Sequence, residues 1–153
     1  MIDQRIVVGV EGSGGAKAAL RFAIREAHFR RGYVEVITAF QNTYVPAAPD
    51  FNYVPLDPID IEVEVEKMQS NVVDSVLEGL ADEYCHVEIR RRLLKGRPAD
   101  TLISESENAA MLVVGSRGRG GWRGLLLGSV SQEIAHHGSC PVVIVRPDLE
   151  FHD

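Results

Sequence analysis

The residues best suited to chemistry lie between Met111 and Val130, where six glycines follow a short apolar run. Four consecutive apolar residues, 111–114, predict a strand covered on both faces. The glycines of this stretch are Gly115, Gly118, Gly120, Gly121, Gly124 and Gly128. Ser129 is a good N-cap residue and Gln132 completes a capping box, so a helix is predicted to begin there. A glycine-rich turn between a strand and a helix can bring backbone N–H groups and the positive end of the helix close to a phosphate.

Three arginines, Arg117, Arg119 and Arg123, add full positive charge to this stretch, although the chain has a net charge of −6. The stretch is therefore predicted to bind an anion, with nucleotide phosphates as the favoured ligand. Two simpler interpretations stay open: the glycines could form a flexible connection, and Ser129 could only cap its own helix. A Walker loop is excluded, because no lysine precedes Ser129. The dinucleotide fingerprint is excluded, because Arg123 stands where its last glycine belongs.

The spacing Gly115-x2-Gly118-x9-Gly128-Ser129 resembles the ATP-binding signature of the universal stress protein family. Three further segments resemble parts of that family. The opening strand and turn of the family are similar to residues 6–13, Ile-Val-Val-Gly-Val-Glu-Gly-Ser. The start of its third helix is similar to residues 96–99, Gly-Arg-Pro-Ala, and its closing strand is similar to residues 140–146, Cys-Pro-Val-Val-Ile-Val-Arg. The segments occur in the right order, so the resemblance extends over nearly the whole chain.

Length and composition are typical of one soluble globular domain. The chain has 153 residues, of which 45% are hydrophobic and 25% charged, and a single domain over 1–153 is expected. Neither a membrane-spanning run nor a signal-peptide pattern is evident, so a cytoplasmic location is expected. The acidic balance argues against a general nucleic-acid-binding protein. Cys85 and Cys140 suggest neither a disulfide framework nor a zinc site, and His136 and His137 are expected to be structural. No metal-ligand set is predicted.

Strand and helix patterns alternate five times, which predicts an α/β fold with a parallel sheet and helices on both faces. The predicted strands are 5–10, 33–40, 87–89, 111–114 and 142–145. The first predicted helix runs from after Gly15 to about Arg31 and is closed by Gly32, and the second runs from 59 to 83. The third is predicted to begin at Pro98 and the fourth at Ser129. Residues 41–58 are predicted to be a long surface loop, and Arg90, Arg91 and Arg92 a solvated edge strand. The resemblance implies a Rossmann-like, adenine nucleotide α-hydrolase-like sheet of order 3-2-1-4-5.

Ligands of such sheets bind beyond the carboxyl ends of the strands, so segments 9–13 and 115–128 should face one crevice. The resemblance implies a role for individual residues around ATP. Gly9 and Glu11 would meet the adenosine, a backbone group of Ala39 would contact adenine, and Val114 would pack near the nucleotide. The phosphates would be cradled by Gly115, Ser116, Arg117, Gly118, Arg119, Gly120 and Gly121, above a helix start formed by Gly128, Ser129 and Val130. A Cβ at 115, 118 or 128 would clash with phosphate oxygens or forbid the required φ.

One residue departs from the family pattern: Glu11 stands where the family usually has aspartate. Glutamate keeps the charge and adds a methylene group, so the hydrogen bond of a short carboxylate could be lost or could be kept by a shifted ribose. Some members of the family lack the ATP signature and hold no nucleotide. The glycine signature is intact in this chain.

The expected function is that of an ATP-binding universal stress protein, a stress-response regulator that hydrolyses ATP slowly at most. Magnesium would be held by the phosphates. An apolar edge strand at 142–145 predicts a homodimer through that strand. Two alternatives stay open: a nucleotide-free interaction module, and an enzyme that cleaves between the α and β phosphates. The second is weakened because Lys17 and Ala18 replace the aspartate and serine of the Ser-Gly-Gly-x-Asp-Ser loop. No efficient hydrolase is expected, because no general base other than Glu11 is evident.

Overall fold

The structure is a computed structural model that describes residues 4–12, 14–41, 58–116 and 127–148. The elements of this part of the chain are, in order, β1 (Arg5–Gly9), α1 (Gly14–Arg30), β2 (Tyr33–Phe40), α2 (Pro58–Glu78), a 3-10 helix (Asp82–Tyr84), β3 (Ile89–Lys95), α3 (Pro98–Glu105), β4 (Met111–Gly115), α4 (Ser129–His137) and β5 (Val142–Val145). Most of the predicted loop at 41–58 lies outside the described residues.

The strands form one parallel sheet of order β3-β2-β1-β4-β5, which confirms the α/β architecture and the implied strand order. β1 is central, with Val8 paired to Val36 of β2 and to Val113 of β4. A strand covered on both faces needs apolar side chains at every position, and Ile6, Val7 and Val8 are fully buried. The carboxyl ends of β1 and β4 therefore lie side by side, as the resemblance implied.

Two apolar cores lie on opposite faces of the sheet. One core joins α1 and α2 to residues such as Val8 and Val36, and the other joins α3 and α4 to residues such as Ile37 and Leu112. The small residues of α1 let this helix pack closely on β1 and β4, as its alanine-rich face predicted. The buried residues of this face are Ala16, Ala18, Ala19, Leu20, Ala23, Ile24 and Ala27. In the described segments, no helix combines the length and apolar character needed to cross a membrane.

The end of α1 differs from the prediction that Gly32 would close it. Arg31 takes the left-handed conformation, with φ of 56°, and its N–H donates to the carbonyl of His28. The N–H of Gly32 donates to the carbonyl of Ala27, which completes a Schellman motif. Glycine is needed at 32 for another reason, because a Cβ there would lie 2.0 Å from the backbone oxygen of Gln4.

The region between α2 and β3 also differs from the sequence interpretation. α2 ends at Glu78 rather than near 83, because the chain breaks at Gly79 and then forms the short 3-10 helix. β3 begins at Ile89 rather than at Val87 and runs on to Lys95, so it includes the three arginines, as predicted, and extends beyond them. Hydrogen bonds to β2 explain this length, since seven residues of β3 pair with β2 from Val34 to Phe40.

The arginines of β3 lie on an edge strand, as predicted, but each has an anionic partner. Arg90 pairs with Glu88 at 2.7 Å and Arg91 with Asp74 at 3.2 Å, both at the surface. Arg92 is only half exposed and pairs with Glu105 of α3 at 2.6 Å, so the expectation of a solvated side chain is wrong for this residue. The hydrogen bond with the Glu105 carboxylate raises the pKa of Arg92. The charged pair of Arg92 and Glu105 holds α3 to β3.

A buried carboxylate that sequence reasoning missed lies beneath Arg92. Glu35 of β2 accepts bonds from Arg92 at 3.3 Å and from Arg5 of β1 at 2.9 Å, and its side chain is only 10% exposed. Arg5 also donates to the carbonyl of Glu107, just beyond α3. Two arginines compensate the burial of Glu35, and together they fix α3 against the sheet.

Candidate functional site

A cavity of about 300 Å³ lies at the carboxyl edge of the sheet, where β1 and β4 end side by side. Its walls come from the ends of β1, β2 and β4 and from the N-terminal turns of α3 and α4. The lining residues are Gly9, Val10, Glu11, Ile37, Ala39, Pro98, Leu102, Val114, Gly115, Gly128, Ser129, Val130 and Ser131. The structure therefore brings together all the predicted site residues that it describes except Ser116, whose backbone lies directly behind the cavity wall.

The first wall depends on Gly9 at the end of β1. A Cβ there would lie 2.7 Å from Cδ1 of Leu102 and 3.3 Å from Cγ1 of Val114, so glycine allows α3 to approach the strand. Leu102 and Pro98 are four positions apart on α3 and present one face to the cavity. Sequence reasoning missed Pro98, Leu102 and Ile37 as lining residues. The Pro98–Leu102 spacing was the available signal for the wall formed by α3.

Glu11 enters the cavity where the chain leaves β1. The N–H of Val10 donates to the carbonyl of Ile37 at 3.0 Å, which extends the pairing of β1 and β2 by one residue. Gly12 then turns the chain with φ of 91°, a conformation that glycine adopts without strain. Glu11 is half-buried at this turn, and Ala39 lines the cavity from the neighbouring strand.

Gly115 is required for a reason that the sequence analysis did not identify. A Cβ at this position would lie 2.8 Å from the carbonyl carbon of Gly15, at the N-terminus of α1. The described glycines with positive φ are Gly12 and Gly96, so neither Gly115 nor Gly128 is needed for a left-handed backbone. The prediction of a required φ is therefore wrong for these two positions. At Gly115 the requirement is the close approach of two backbones.

The start of α4 also corrects the sequence interpretation. Gly128, with extended φ of −74° and ψ of 167°, is the N-cap, so Ser129 is the first helical residue and the capping-box prediction is wrong. Glycine has no side chain that could accept hydrogen bonds from the first-turn N–H groups. These groups are the donors that an anion meets at a helix N-terminus. Ser129 is exposed and Val130 half-buried at the mouth of the cavity.

Ser131 connects α4 to β4 and was not identified from the sequence. Its hydroxyl lies 3.0 Å from the carbonyl oxygen of Ser116 and 3.0 Å from that of Gly128, and can donate to either. The N–H of Gly128 donates to the same Ser116 carbonyl at 2.6 Å. Ser116 is buried, and its own N–H donates to the carbonyl of Val145. The two ends of the glycine-rich stretch are thus held together at the edge of the cavity.

Five predicted phosphate-binding residues, Arg117, Gly118, Arg119, Gly120 and Gly121, lie outside the described residues. Among the lining residues that are described, Glu11 has the only ionisable side chain. The lining hydroxyls belong to Ser129 and Ser131, and neither has a histidine or second carboxylate beside it within this described lining. Acid–base or nucleophilic catalysis needs such a pair. The described geometry is therefore suited to binding a partly apolar ligand with an anionic end.

The comparisons with known proteins agree with this fold. The model of the universal stress protein family matches residues 4–146. Universal stress protein Rv2623 of Mycobacterium tuberculosis (strain ATCC 25618 / H37Rv) is 32% identical over 144 residues, which are 94% of this chain and 46% of that protein. The chain thus spans about half the length of this curated relative.

Two solved structures share the architecture over nearly their whole length. The universal stress protein from Archaeoglobus fulgidus in complex with dAMP is 25% identical, with a TM-score of 0.66, and the match covers 95% of this chain and 99% of that one. A universal stress protein in complex with cAMP has a TM-score of 0.69 at 23% identity, over 97% of this chain and 100% of that one. From the family match and these relatives, we conclude that the chain belongs to the universal stress protein family.

Proposed function

We propose that this chain forms an ATP-binding universal stress protein domain that acts in the cytoplasm as a regulator, with slow ATP hydrolysis at most. The observation that carries the proposal is the cavity itself. It combines an apolar chamber, one carboxylate and a helix N-terminus capped by Gly128. These three parts match the base, the ribose and the phosphates of a nucleotide. The dAMP complex of the Archaeoglobus fulgidus relative supports the same class of ligand.

The adenine would occupy the apolar part of the cavity, between β2 and α3. Ile37, Pro98 and Leu102 provide its walls, and the backbone of Ala39 would supply a hydrogen-bonding group to the base edge. Gly9 allows this chamber to be narrow, because it brings Leu102 close to β1. Val114 would pack against the nucleotide from β4.

Glu11 would accept hydrogen bonds from the ribose hydroxyls, since it is the ionisable residue of the described lining. Its side chain has one more methylene than the aspartate usual in the family, so the ribose would lie slightly farther from β1. Glu11 is thus a binding group in this proposal. The absence of a second catalytic group in the described lining favours retention of ATP over rapid hydrolysis.

The phosphates would lie over the N-terminus of α4, where Gly128, Ser129 and Val130 present backbone N–H groups. Gly115 to Gly121, with Arg117 and Arg119, would complete the cradle. Mg²⁺ would be held by the phosphate oxygens. Ser131 and Ser116 would keep the two ends of this cradle at a fixed separation.

A homodimer through β5 is the proposed assembly. β5 is the last strand of the sheet, and its residues Val142, Val143 and Ile144 remain half-buried in the isolated chain. Pairing with a second copy would satisfy the outer edge of the strand and cover these side chains. A molar mass near twice the chain mass of 16.8 kDa in light scattering would support the dimer, and a mass of one chain would refute it.

Calorimetric titration of nucleotide-stripped protein with ATP and magnesium tests the central proposal. We expect saturable binding of about one ATP per chain, weakened about tenfold or more by Glu11→Ala through loss of a charge-assisted bond. Glu64→Ala is the matched control, because Glu64 is an exposed carboxylate on α2. Folded protein that gives no heat with ATP would refute nucleotide binding and favour an interaction module. Formation of AMP and pyrophosphate would favour an α-β phosphate-cleaving enzyme.

A further inference from the structure

Two imidazole rings meet at the surface beyond the C-terminus of α1. His28 lies in the last turn of this helix, and His86 lies between the 3-10 helix and β3. Nδ1 of His28 is 3.3 Å from Nε2 of His86. The sequence places these residues 58 positions apart, so the fold creates the pair. The proposed nucleotide cavity plays no part in it.

The geometry points to a divalent transition-metal site formed by His28 and His86, with zinc as the representative ion. Two nitrogens bound at about 2.0–2.1 Å to one tetrahedral ion lie about 3.3–3.4 Å from each other. The two nitrogens share a hydrogen bond at 3.3 Å in this structure, which is close to this separation. The ring centroids are 5.0 Å apart, closer than a head-on contact of the two nitrogens would place them. Zinc binding requires the donor ring of the hydrogen bond to carry its proton on its other nitrogen, so that both contacting nitrogens offer lone pairs to the ion.

The surroundings hold the pair and favour a cation. The ring of Tyr84 packs edge-on against His28, with centroids 5.2 Å apart, and Tyr84 is itself buried. His28 is the third residue from the left-handed Arg31, so its ring lies at the negative end of the α1 dipole. Imidazole is a preferred ligand for Zn²⁺, Ni²⁺ and Cu²⁺, whereas Mg²⁺ prefers oxygen.

The site would be open on its outer side. His86 is exposed and His28 half-buried, so water can reach the two nitrogens. Within the described segments, no group of three or more His, Cys, Asp or Glu side chains could hold a metal ion. Water would therefore fill the remaining positions of a tetrahedral ion, as it does at one position of catalytic zinc sites. The site is distinct from the nucleotide cavity, because Gly115 of the cavity lining lies against Gly15 at the N-terminus of α1, whereas His28 lies in the last turn, about 20 Å farther along the helix axis.

Zinc titration of nucleotide-stripped protein in a non-coordinating buffer tests this site. We expect saturable binding of one Zn²⁺, weakened about tenfold or more by His86→Ala and by His28→Ala, since losing a ligand costs at least as much as losing an outer-shell partner. The matched control is the double substitution His136→Ala with His137→Ala, which removes two imidazoles whose centroids are 6.3 Å apart on α4. Its affinity should stay within about twofold of the original.

Ring-nitrogen chemical shifts of histidine provide a second readout that a merely structural pair would not give. Added Zn²⁺ should shift Nδ1 of His28 and Nε2 of His86, while His136 and His137 stay unchanged. His86→Gln keeps a polar, exposed side chain, so its fold should be intact by circular dichroism while the zinc response is lost. The inference is overturned if His86→Ala and His28→Ala bind zinc as tightly as the original protein, or if the shifts appear at His136 and His137 instead.

Discussion

The close approach of α1 to β4 at Gly115 predicts a specific sensitivity to a single methyl group. In Gly115→Ala, the new Cβ would lie 2.8 Å from the carbonyl carbon of Gly15 and 3.0 Å from its oxygen. Both neighbours are backbone atoms, so they cannot turn away as the end of a side chain could. The N-terminus of α1 and the end of β4 must separate, at a cost of about 1–3 kcal/mol.

This cost has a measurable consequence in unfolding experiments. For a chain of this size, about 1–3 kcal/mol lowers the melting temperature by about 2–12 °C. Urea unfolding should show a lower midpoint with an unchanged m-value, because the exposed surface on unfolding stays the same. The displacement also widens the cavity that Gly115 lines, so ATP affinity should fall under the proposed function.

Gly14→Ala is the matched control for this substitution. Gly14 is also a glycine at the α1 N-terminus, but a Cβ there meets nothing within 4 Å. Its stability should remain within about 0.5 kcal/mol of the original. The reasoning is refuted if Gly115→Ala unfolds at the original midpoint with the same m-value, or if Gly14→Ala loses as much stability as Gly115→Ala does.

Three further substitutions test contacts that the sequence did not reveal. Ser131→Ala removes the hydroxyl that joins α4 to β4, and we expect it to lower the free energy of unfolding by about 1 kcal/mol. In calorimetry the affinity for ATP should fall more than the affinity for adenosine, and equal falls would contradict a role on the phosphate side. Arg31→Gly relieves a left-handed φ of 56° and should raise the free energy of unfolding by about 0.5–1 kcal/mol, which is measured as a higher urea midpoint. A lower midpoint would argue against strain there. Glu35→Ala removes the buried carboxylate that accepts bonds from Arg5 and Arg92 and should cost about 3 kcal/mol. Glu26→Ala breaks only an exposed i,i+4 pair and should cost about 0.5 kcal/mol, and similar losses for both would refute the argument from burial.

The sheet could be predicted from the sequence because its strands carry a local signal. Fully buried parallel strands need continuous apolar runs, and residues 6–8 and 111–114 have them. The strand order came from the family resemblance and could not be read from periodicity. The bounds of β3 were displaced, because the prediction began it at Val87 and did not extend it beyond the arginines. Pairing with β2 carries the strand to Lys95, and anions on α2 and α3 give Arg91 and Arg92 the partners that the sequence did not reveal.

The structure brings the described members of the predicted site together at one cavity except Ser116, and their roles in binding stay predictions. Gly9, Glu11 and Gly128 lie together because they follow or precede adjacent elements at one sheet edge. The four-residue spacing of Pro98 and Leu102 indicates that they share one face of α3, but what that face lines depends on how α3 packs, which is a tertiary property. At Gly115 the neighbour that requires glycine is Gly15, 100 residues earlier in the chain, and the predicted clash of a Cβ with phosphate oxygens stays a prediction.

Gly128 at the N-cap and the Ser131 hydroxyl both leave the first-turn N–H groups of α4 available to an anion. A Ser129 side chain acting as N-cap would have accepted a bond from the first turn and competed with a ligand for its donors. Gly128 at the N-cap offers no such acceptor, and Ser131 directs its hydroxyl to the carbonyls of Ser116 and Gly128. The serine that stabilises this junction thus does so without using the N–H groups at the helix start.

A helix that served only as structure would gain stability from a serine or aspartate at position 128, and the chain has glycine there. The same substitution, Gly128→Asp, should therefore stabilise the free protein and weaken ATP binding, because the new carboxylate would cap the donors and repel the phosphates. Loss of stability without loss of binding in this variant would show that α4 does not hold the phosphates.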